Sequence, residues 1–267
     1  MIDGKTRLCV IVGDPIAQVR SPQELNAAFA QRGINAVMLP MHVAPPDLAS
    51  AVTGLRAVRN LAGVVVTVPH KEAILPLCDR VDPRALAIGS ANAVRVAGGR
   101  WEADNFDGTG FVDGLVARAF PLEGAAVFVA GLGGAGRSVA FALAERKASR
   151  VALWDIDEAR RASLVTRLRA HFPEVAFELR AAPASDDTLI VNCSPLGMQD
   201  HDPLPFDPGA LHAGQLVADI VMQPEDTRLL GDARTRGCDT HAGKWMLHCQ
   251  IETFIRFFGL ESNPRPA

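Results

Sequence analysis

Gly131, Gly133 and Gly136, with Gly134 and Ala135 between the last two, stand at G-x-G-x-x-G spacing in the run GLGGAG. That spacing is suited to holding a dinucleotide. The first glycine allows a tight turn, the second lets a pyrophosphate approach the backbone, and the third lets a helix pack on a strand. An apolar run at 127–130 precedes it, an alanine-rich helical pattern follows, and a second apolar run ends in Asp155 about 20 residues on, so the stretch reads as one βαβ unit with the helix N-terminus facing the phosphates. Asp155 would accept hydrogen bonds from the adenosine ribose hydroxyls and repel a 2′-phosphate, so the expected cofactor is NAD, with NADP disfavoured. Arg160 and Arg161 would relax that preference only by folding back onto the loop.

In a doubly wound sheet, ligands sit beyond the carboxyl ends of strands, so polar residues just after strands are the next candidates. Thr67 and Lys71 bracket Pro69 in VTVPHKE, Asn105 and Asp107 lie in DNFDG, and Asn92 lies in GSANAV. Each admits a plainer reading. Lys71 could be an ordinary surface lysine, although the start of a helix is an unfavourable place for a cation. Asp107 could cap a helix, and Asn92 could satisfy its own strand edge. The chain has no tyrosine, which removes one common catalytic acid.

The elements that would position these groups follow from periodicity. Apolar runs predict strands at 8–12, 36–43 and 63–68, the last Val-rich enough for a sheet covered on both faces. Ser21-Pro22-Gln23-Glu24 reads as a capping box that opens a helix closed by Gly33. Further helices are predicted over 46–58, 71–78 and 83–88, followed by a hairpin of 91–96 and 100–103 turning at Gly98-Gly99. A helix over 107–120 then leads into the nucleotide unit, and strands at 151–154, 175–179, 188–192 and 216–221, a helix over 157–172 and a final helix over 244–258 complete the pattern. The expected fold class is α/β with two domains. Residues 1–104 form an α/β substrate domain and 105–240 a Rossmann-type doubly wound NAD-binding domain. Residues 241–267 carry the final helix, with 262–267 as a loose tail.

Composition narrows the partners. A chain of 267 residues with a net charge of −3 offers no basic footprint for nucleic acid or an anionic membrane, and no stretch reaches the roughly 20 apolar residues of a membrane span. Cys9, Cys78, Cys193, Cys238 and Cys249 are odd in number, scattered and without metal-ligand spacing, so they read as reduced thiols in a cytoplasmic protein. The seven histidines show no ligand pairing, no metal is expected, and His70, His241 and His248 read as packing or pocket-rim residues.

In order and spacing, GDPIAQVRSP, GVVVTVPHKE, GSANAV, DNFDGTG, GLGGAG, VNCSPLGM, DIVMQPEDT and MLHCQ together resemble the shikimate and quinate dehydrogenases over nearly the whole chain. The resemblance implies a C-terminal helix, within 241–267, that returns to the first domain, and reversible hydride transfer between NAD(P) and a ring hydroxyl of a cyclic hydroxy acid; the expected assembly is a monomer or homodimer. It implies Lys71 and Asp107 as the acid/base pair, with the base left open between them. Ser21, Thr67, Asn92 and Gln250 would be the substrate's hydrogen-bonding partners. Cys193, Ser194, Ile220 and Gly243 would join the glycine loop around the cofactor. Where NADP-using relatives read Asn-Arg-Thr, this chain reads Asp155-Ile156-Asp157.

Four departures bear on the substrate. Val19 replaces one of two carboxylate-binding serines, Val65 a usual asparagine, Met222 a common tyrosine, and Ala242 an acidic residue before Gly243. A missing hydroxyl typically costs about 1–3 kcal/mol through the partner left unpaired, which changes preference without ending catalysis. Besides shikimate or quinate, a different ring acid or an aminated analogue is therefore an alternative, and a non-catalytic NAD-binding module is a third.

Overall fold

The computed structural model describes residues 2–261, so the tail expected at 262–267 lies outside the described residues. The chain divides into two compact units. One comprises residues up to Phe106 together with the chain from Gln250, and the other runs from Asp107 to Cys249.

The first unit is built on a six-stranded mixed sheet in the order β2-β1-β3-β5-β6-β4. Its strands are β1 (Arg7–Gly13), β2 (Ala36–His42), β3 (Leu61–Val66), β4 (Arg80–Val81), β5 (Ala93–Ala97) and β6 (Arg100–Asp104). β1 runs parallel to β2 and β3, while β5 is antiparallel to both β3 and β6, as the expected hairpin requires. Every residue of β3 is buried, which is why it reads as an unbroken apolar run rather than an alternating one. Its helices are α1 (Ser21–Arg32), α2 (Leu48–Arg56) and α3 (Pro83–Ile88). Val10, Val12, Val64, Val66, Ile74, Val94 and Trp101 lie in one apolar core.

The second unit carries a six-stranded sheet in the order β12-β11-β10-β7-β8-β9, parallel at every pairing. The strands are β7 (Ala126–Ala130), β8 (Arg150–Trp154), β9 (Ala176–Leu179), β10 (Leu189–Asn192), β11 (Leu216–Asp219) and β12 (Asp239–Ala242). Helices α4 (Asp107–Ala117), α5 (Gly134–Glu145), α6 (Glu158–His171) and α7 (Arg228–Thr235) belong to it. The last helix, α8 (Lys244–Phe257), passes from this unit into the first at Gln250. Within the first unit its end packs by aromatic edges, Phe106 meeting Phe254 at 6.0 Å and Phe257 at 5.0 Å between ring centres.

Several local expectations are corrected. The Ser21 capping box does not form: the backbone is already helical at Arg20, so Ser21 lies inside the first turn and its side chain makes no cap hydrogen bond. The helix expected over 71–78 is a run of turns ending in a single 3-10 turn at Leu75–Leu77, because Pro76 has no N–H to continue a ladder. β4, α7 and β12 were not anticipated; β4 has only two residues, and α7 (RLLGDART) and β12 (DTHA) are mostly polar, without the apolar runs that mark the other short elements. All five cysteines are free thiols, and among the described residues no helix is long and apolar enough to cross a membrane.

Candidate active site

In the first unit, the expected site residues cluster at the carboxyl ends of β1 and β3 and beside β5. Thr67 follows β3, and its N–H donates to Val12 O at 3.0 Å, which ties the ends of β3 and β1 together. His70 N–H bonds Thr67 O at 2.9 Å, and the buried His70 ring meets Val43 O at 2.7 Å, so His70 is a packing residue that fixes the turn. Lys71 is the next residue, is buried, and its carbonyl accepts from Ala91 N at 2.8 Å. Without a helix at this point, the dipole argument against an exposed lysine no longer applies; burial replaces it. Ser21, at the start of α1, is also buried.

Asn92 is held from several directions. Its N–H donates to Asp104 O at 3.0 Å, its carbonyl accepts from Val66 N at 2.8 Å, and its side-chain oxygen accepts from Phe106 N at 2.8 Å. That last bond orients the carboxamide. The NH₂ group is then directed at Gln250 Oε1, 3.2 Å away, although the two residues are 158 apart in sequence. Both are almost fully buried, and burying two amides is tolerable only when they are paired. The reading of Asn92 as a self-satisfied strand edge is therefore incomplete, since its side chain reaches across the unit.

In the second unit, Asp107 is buried as the first residue of α4. Gly108 lies so close to α5 that an added Cβ would collide with Ser138 O, and Gly108 N–H donates to Ser138 Oγ at 2.8 Å. α4 is thus pinned to the N-terminal part of α5 right beside Asp107. Gly108 and Ser138 were missed by the sequence reading; the only available sign was a glycine placed directly after a candidate acid.

The glycine loop has the form a dinucleotide requires. Gly131 has φ of +89°, and a side chain there would run into the backbone of Cys193 and Ser194, while one at Gly136 would strike Gly131 O. At Gly133, the N-cap of α5, a side chain would meet nothing within 4 Å. The outer glycines are therefore required by the fold, whereas Gly133 leaves open space at a helix N-terminus, where a pyrophosphate fits. Gly134 and Ala135 form the first turn of that helix. Cys193 N–H bonds Ala130 O at 2.6 Å, and Ser194 Oγ donates to Asn192 Oδ1 at 2.6 Å, so the β10 loop lines the same edge. Gly243 approaches Ile220 so closely that a Cβ would lie 2.7 Å from the Ile220 carbonyl, which brings these two together at the ends of β11 and β12.

Asp155 behaves differently from its expected role. Its two carboxylate oxygens accept from Leu132 N at 2.7 Å and Asp157 N at 2.9 Å, and Arg160 lies 3.5 Å from the first of these. Arg161 donates to Asp155 O at 2.8 Å and stacks over Trp154, 4.4 Å from the ring centre. The carboxylate is only 7% exposed, while Ile156 is 94% exposed. Both arginines have folded back onto the loop, the arrangement under which a 2′-phosphate could be tolerated.

A family model described as the shikimate dehydrogenase substrate binding domain matches residues 11–94. Shikimate dehydrogenase (NADP(+)) of Acidiphilium cryptum is 36% identical over 97% of this chain and 93% of its own length. The enzyme of the same name from Symbiobacterium thermophilum is 38% identical over 91% of this chain and 86% of its own. The crystal structure of shikimate dehydrogenase from Aquifex aeolicus superposes with a TM-score of 0.88 at 32% identity, covering 98% of this chain and 96% of that one. These relatives correct the expected preference for NAD over NADP, since the similar curated enzymes are named for NADP(+). The physical reason is that both Asp155 oxygens already accept backbone N–H bonds from Leu132 and Asp157, with Arg160 3.5 Å away, so the carboxylate is not free to face a ribose.

Proposed function

Because the chain belongs to the shikimate dehydrogenase family and is an NAD(P)-dependent oxidoreductase, we propose that it interconverts a ring alcohol and ketone of shikimate or a close relative with NADP. The observation that carries this reading is the buried polar set Lys71, Asn92 and Gln250 in the unit that contains the matched substrate-binding segment. Buried groups of this kind cost stability unless they serve one another or a ligand.

When bound, the nicotinamide supplies the hydride acceptor. In the direction of oxidation the ring carbon's hydrogen leaves with both bonding electrons as hydride, the C–O bond becomes C=O, and the hydroxyl proton must go to a protein group. Lys71 binds the alcohol oxygen and, with Asp107, receives that proton; in reduction the pair returns it. Ser21, Thr67, Asn92 and Gln250 hold the hydroxyls and carboxylate of the acid and so select the ring face presented for hydride transfer. The glycine loop, with Cys193, Ser194, Ile220 and Gly243, holds the dinucleotide, and Arg160 and Arg161 offer the cations that a 2′-phosphate requires.

Val19 supports a second substrate reading. It is a partly buried apolar side chain where a serine would bind the acid's carboxylate, and this favours a less polar or differently substituted ring acid, or an aminated analogue, over shikimate and quinate. A reducing, cytoplasmic location is the one that five free thiols support. The direct test is NADPH formation from shikimate, quinate and related ring acids. Lys71→Ala and Asp107→Asn should each lower kcat by about 10²–10⁴-fold while leaving NADP binding intact. Near-normal turnover in either variant would remove that residue from the mechanism.

A further inference from the structure

Asp104 lies at the end of β6, on a cleft of about 210 Å³ on the first unit that is also lined by Arg80, Asp82, Arg95 and Glu102. Its role in the alcohol chemistry is not direct, yet the three residues Asp104, Asn105 and Phe106 are tied down with unusual completeness. Asp104 Oδ1 accepts from Asn105 N at 2.6 Å, and Arg84 of α3 donates to Asn105 O at 2.9 Å. The fully buried Asn105 carboxamide donates to Ser90 O at 3.0 Å and to Ser90 Oγ at 2.9 Å. What this rigid segment then does is hold Asn92, through Asp104 O and Phe106 N. The second of these bonds decides which way the Asn92 carboxamide faces, and hence its pairing with Gln250.

We propose that Asp104 is a positioning residue for the substrate-binding amides: through Asn105 it fixes the backbone that orients Asn92 and Gln250, and its ionised carboxylate is the form that does so. The inference rests on the reading of Asn92 and Gln250 as substrate-binding groups. A short bond from an N–H to a carboxylate is charge-assisted and stronger than one to a neutral oxygen, so protonation loosens the segment. The charged groups around Asp104 are mixed. Asp82, before α3, opposes its ionisation, whereas Arg84 of α3 and Arg95 of β5 favour it; Glu102, on its own strand, and Arg80 of β4 line the same cleft. Burial outweighs the arginines and raises the Asp104 carboxyl to about 6.

The sign of the linkage separates this role from a structural one. A carboxyl whose folded pKa lies above its ordinary 3.8 binds its proton more tightly when folded, so its ionisation lowers stability as pH rises from about 3.8 to 6. Asp104→Asn, which keeps an acceptor oxygen but not the charge, should therefore melt no lower than wild type at pH 8 and yet bind the ring acid less well. The expected result at pH 8 is a rise in KM for the acid of about threefold in Asp104→Asn and about tenfold in Asp104→Ala, with KM for NADP unchanged. Wild-type kcat/KM for the acid should fall as pH drops through about 6, and Asp104→Asn should lack that limb. Glu102→Gln, which removes a carboxylate from the same cleft without touching Asn105, should keep it.

A readout independent of turnover is the side-chain amide resonance of Asn92 in the full-length protein, which should titrate near pH 6 in wild type and stay flat in Asp104→Asn. A wild-type enzyme inactive on every acid tested would overturn the functional reading and leave the amide titration to decide this one. An unchanged Asn92 resonance across that range, or an Asp104→Asn variant with wild-type KM and an intact acidic limb, would overturn the proposal. So would a variant whose only defect is a lower Tm.

Discussion

The two sheets differ in how they use polar side chains. In the parallel sheet of the second unit, polar groups at the strand ends are mostly satisfied by the fold itself. Asp219 accepts from Val221 N, Thr227 Oγ1 and Asn192 Nδ2, and Asp155 accepts from Leu132 N and Asp157 N. What that unit leaves for a ligand is mainly backbone and open space at Gly133. In the mixed sheet of the first unit, an antiparallel hairpin inserted beside β3 brings Asn92 and the 104–106 segment next to one another, and in the proposed function side chains meet the substrate. A dinucleotide is a large, uniform ligand that backbone and helix ends can recognise, whereas a small hydroxy acid needs individually placed donors and acceptors.

The largest effect that would sharpen this contrast lies in the loop. Gly136→Val should destabilise the protein by about 3 kcal/mol or more, because the side chain must enter the Gly131 backbone, and it should abolish NADP binding. Gly133→Ala should leave the Tm within a degree or two yet weaken NADP, measured by calorimetry, since nothing in the fold occupies that space. Equal losses of stability in the two variants would break the distinction between fold glycines and ligand glycines.

Next comes the exception to the second unit's internal economy. His241 on β12 is buried with neither ring nitrogen hydrogen-bonded, edge-on to Phe111 at 6.0 Å and against Gly114. Burial, helped by Arg118, lowers its pKa from 6.5 to about 4. The unfolded chain therefore binds the proton more tightly, so stability is intact above about pH 6.5 and falls by roughly 3 kcal/mol as pH drops to about 4. Denaturant melts across that window check it, and His241→Leu should flatten the slope by a comparable amount.

A smaller effect is expected at the cofactor's far end. Arg160→Ala with Arg161→Ala should raise KM for NADP about tenfold with little change in kcat, given the usual strength of charge-assisted bonds. A double variant with normal KM would mean that the folded-back arginines serve only Asp155 and Trp154. The smallest is Val19→Ser, expected to raise kcat/KM for shikimate or quinate about three- to tenfold by restoring one hydroxyl. Unchanged kinetics with both acids would show that Val19 does not face the substrate.

Much of this was legible in the chain because it depends on neighbours in sequence. Glycine spacing, unbroken apolar runs and the Gly98-Gly99 hairpin each encode a local backbone shape, and each appears where it was expected. Errors arose where a local rule met a competing local fact, as when Pro76 interrupted a helix pattern or Arg20 took helical angles and left Ser21 without a cap to make. β4 carries too few residues for a period, and β12 is mostly polar, so neither shows an apolar run.

By itself, then, the sequence determined the α/β class, the two-part division, the dinucleotide loop and the family, all of which follow from patterns repeated over short distances. Only the tertiary structure decided what the polar side chains do. Asp155 looked like a free carboxylate until Leu132, Asp157 and Arg160 were seen to occupy it, and Asn92 looked like a strand edge until Gln250, 158 residues away, was seen to face it. A hydrogen bond depends on a few tenths of an ångström and on direction, and those are fixed by packing, not by spacing along the chain.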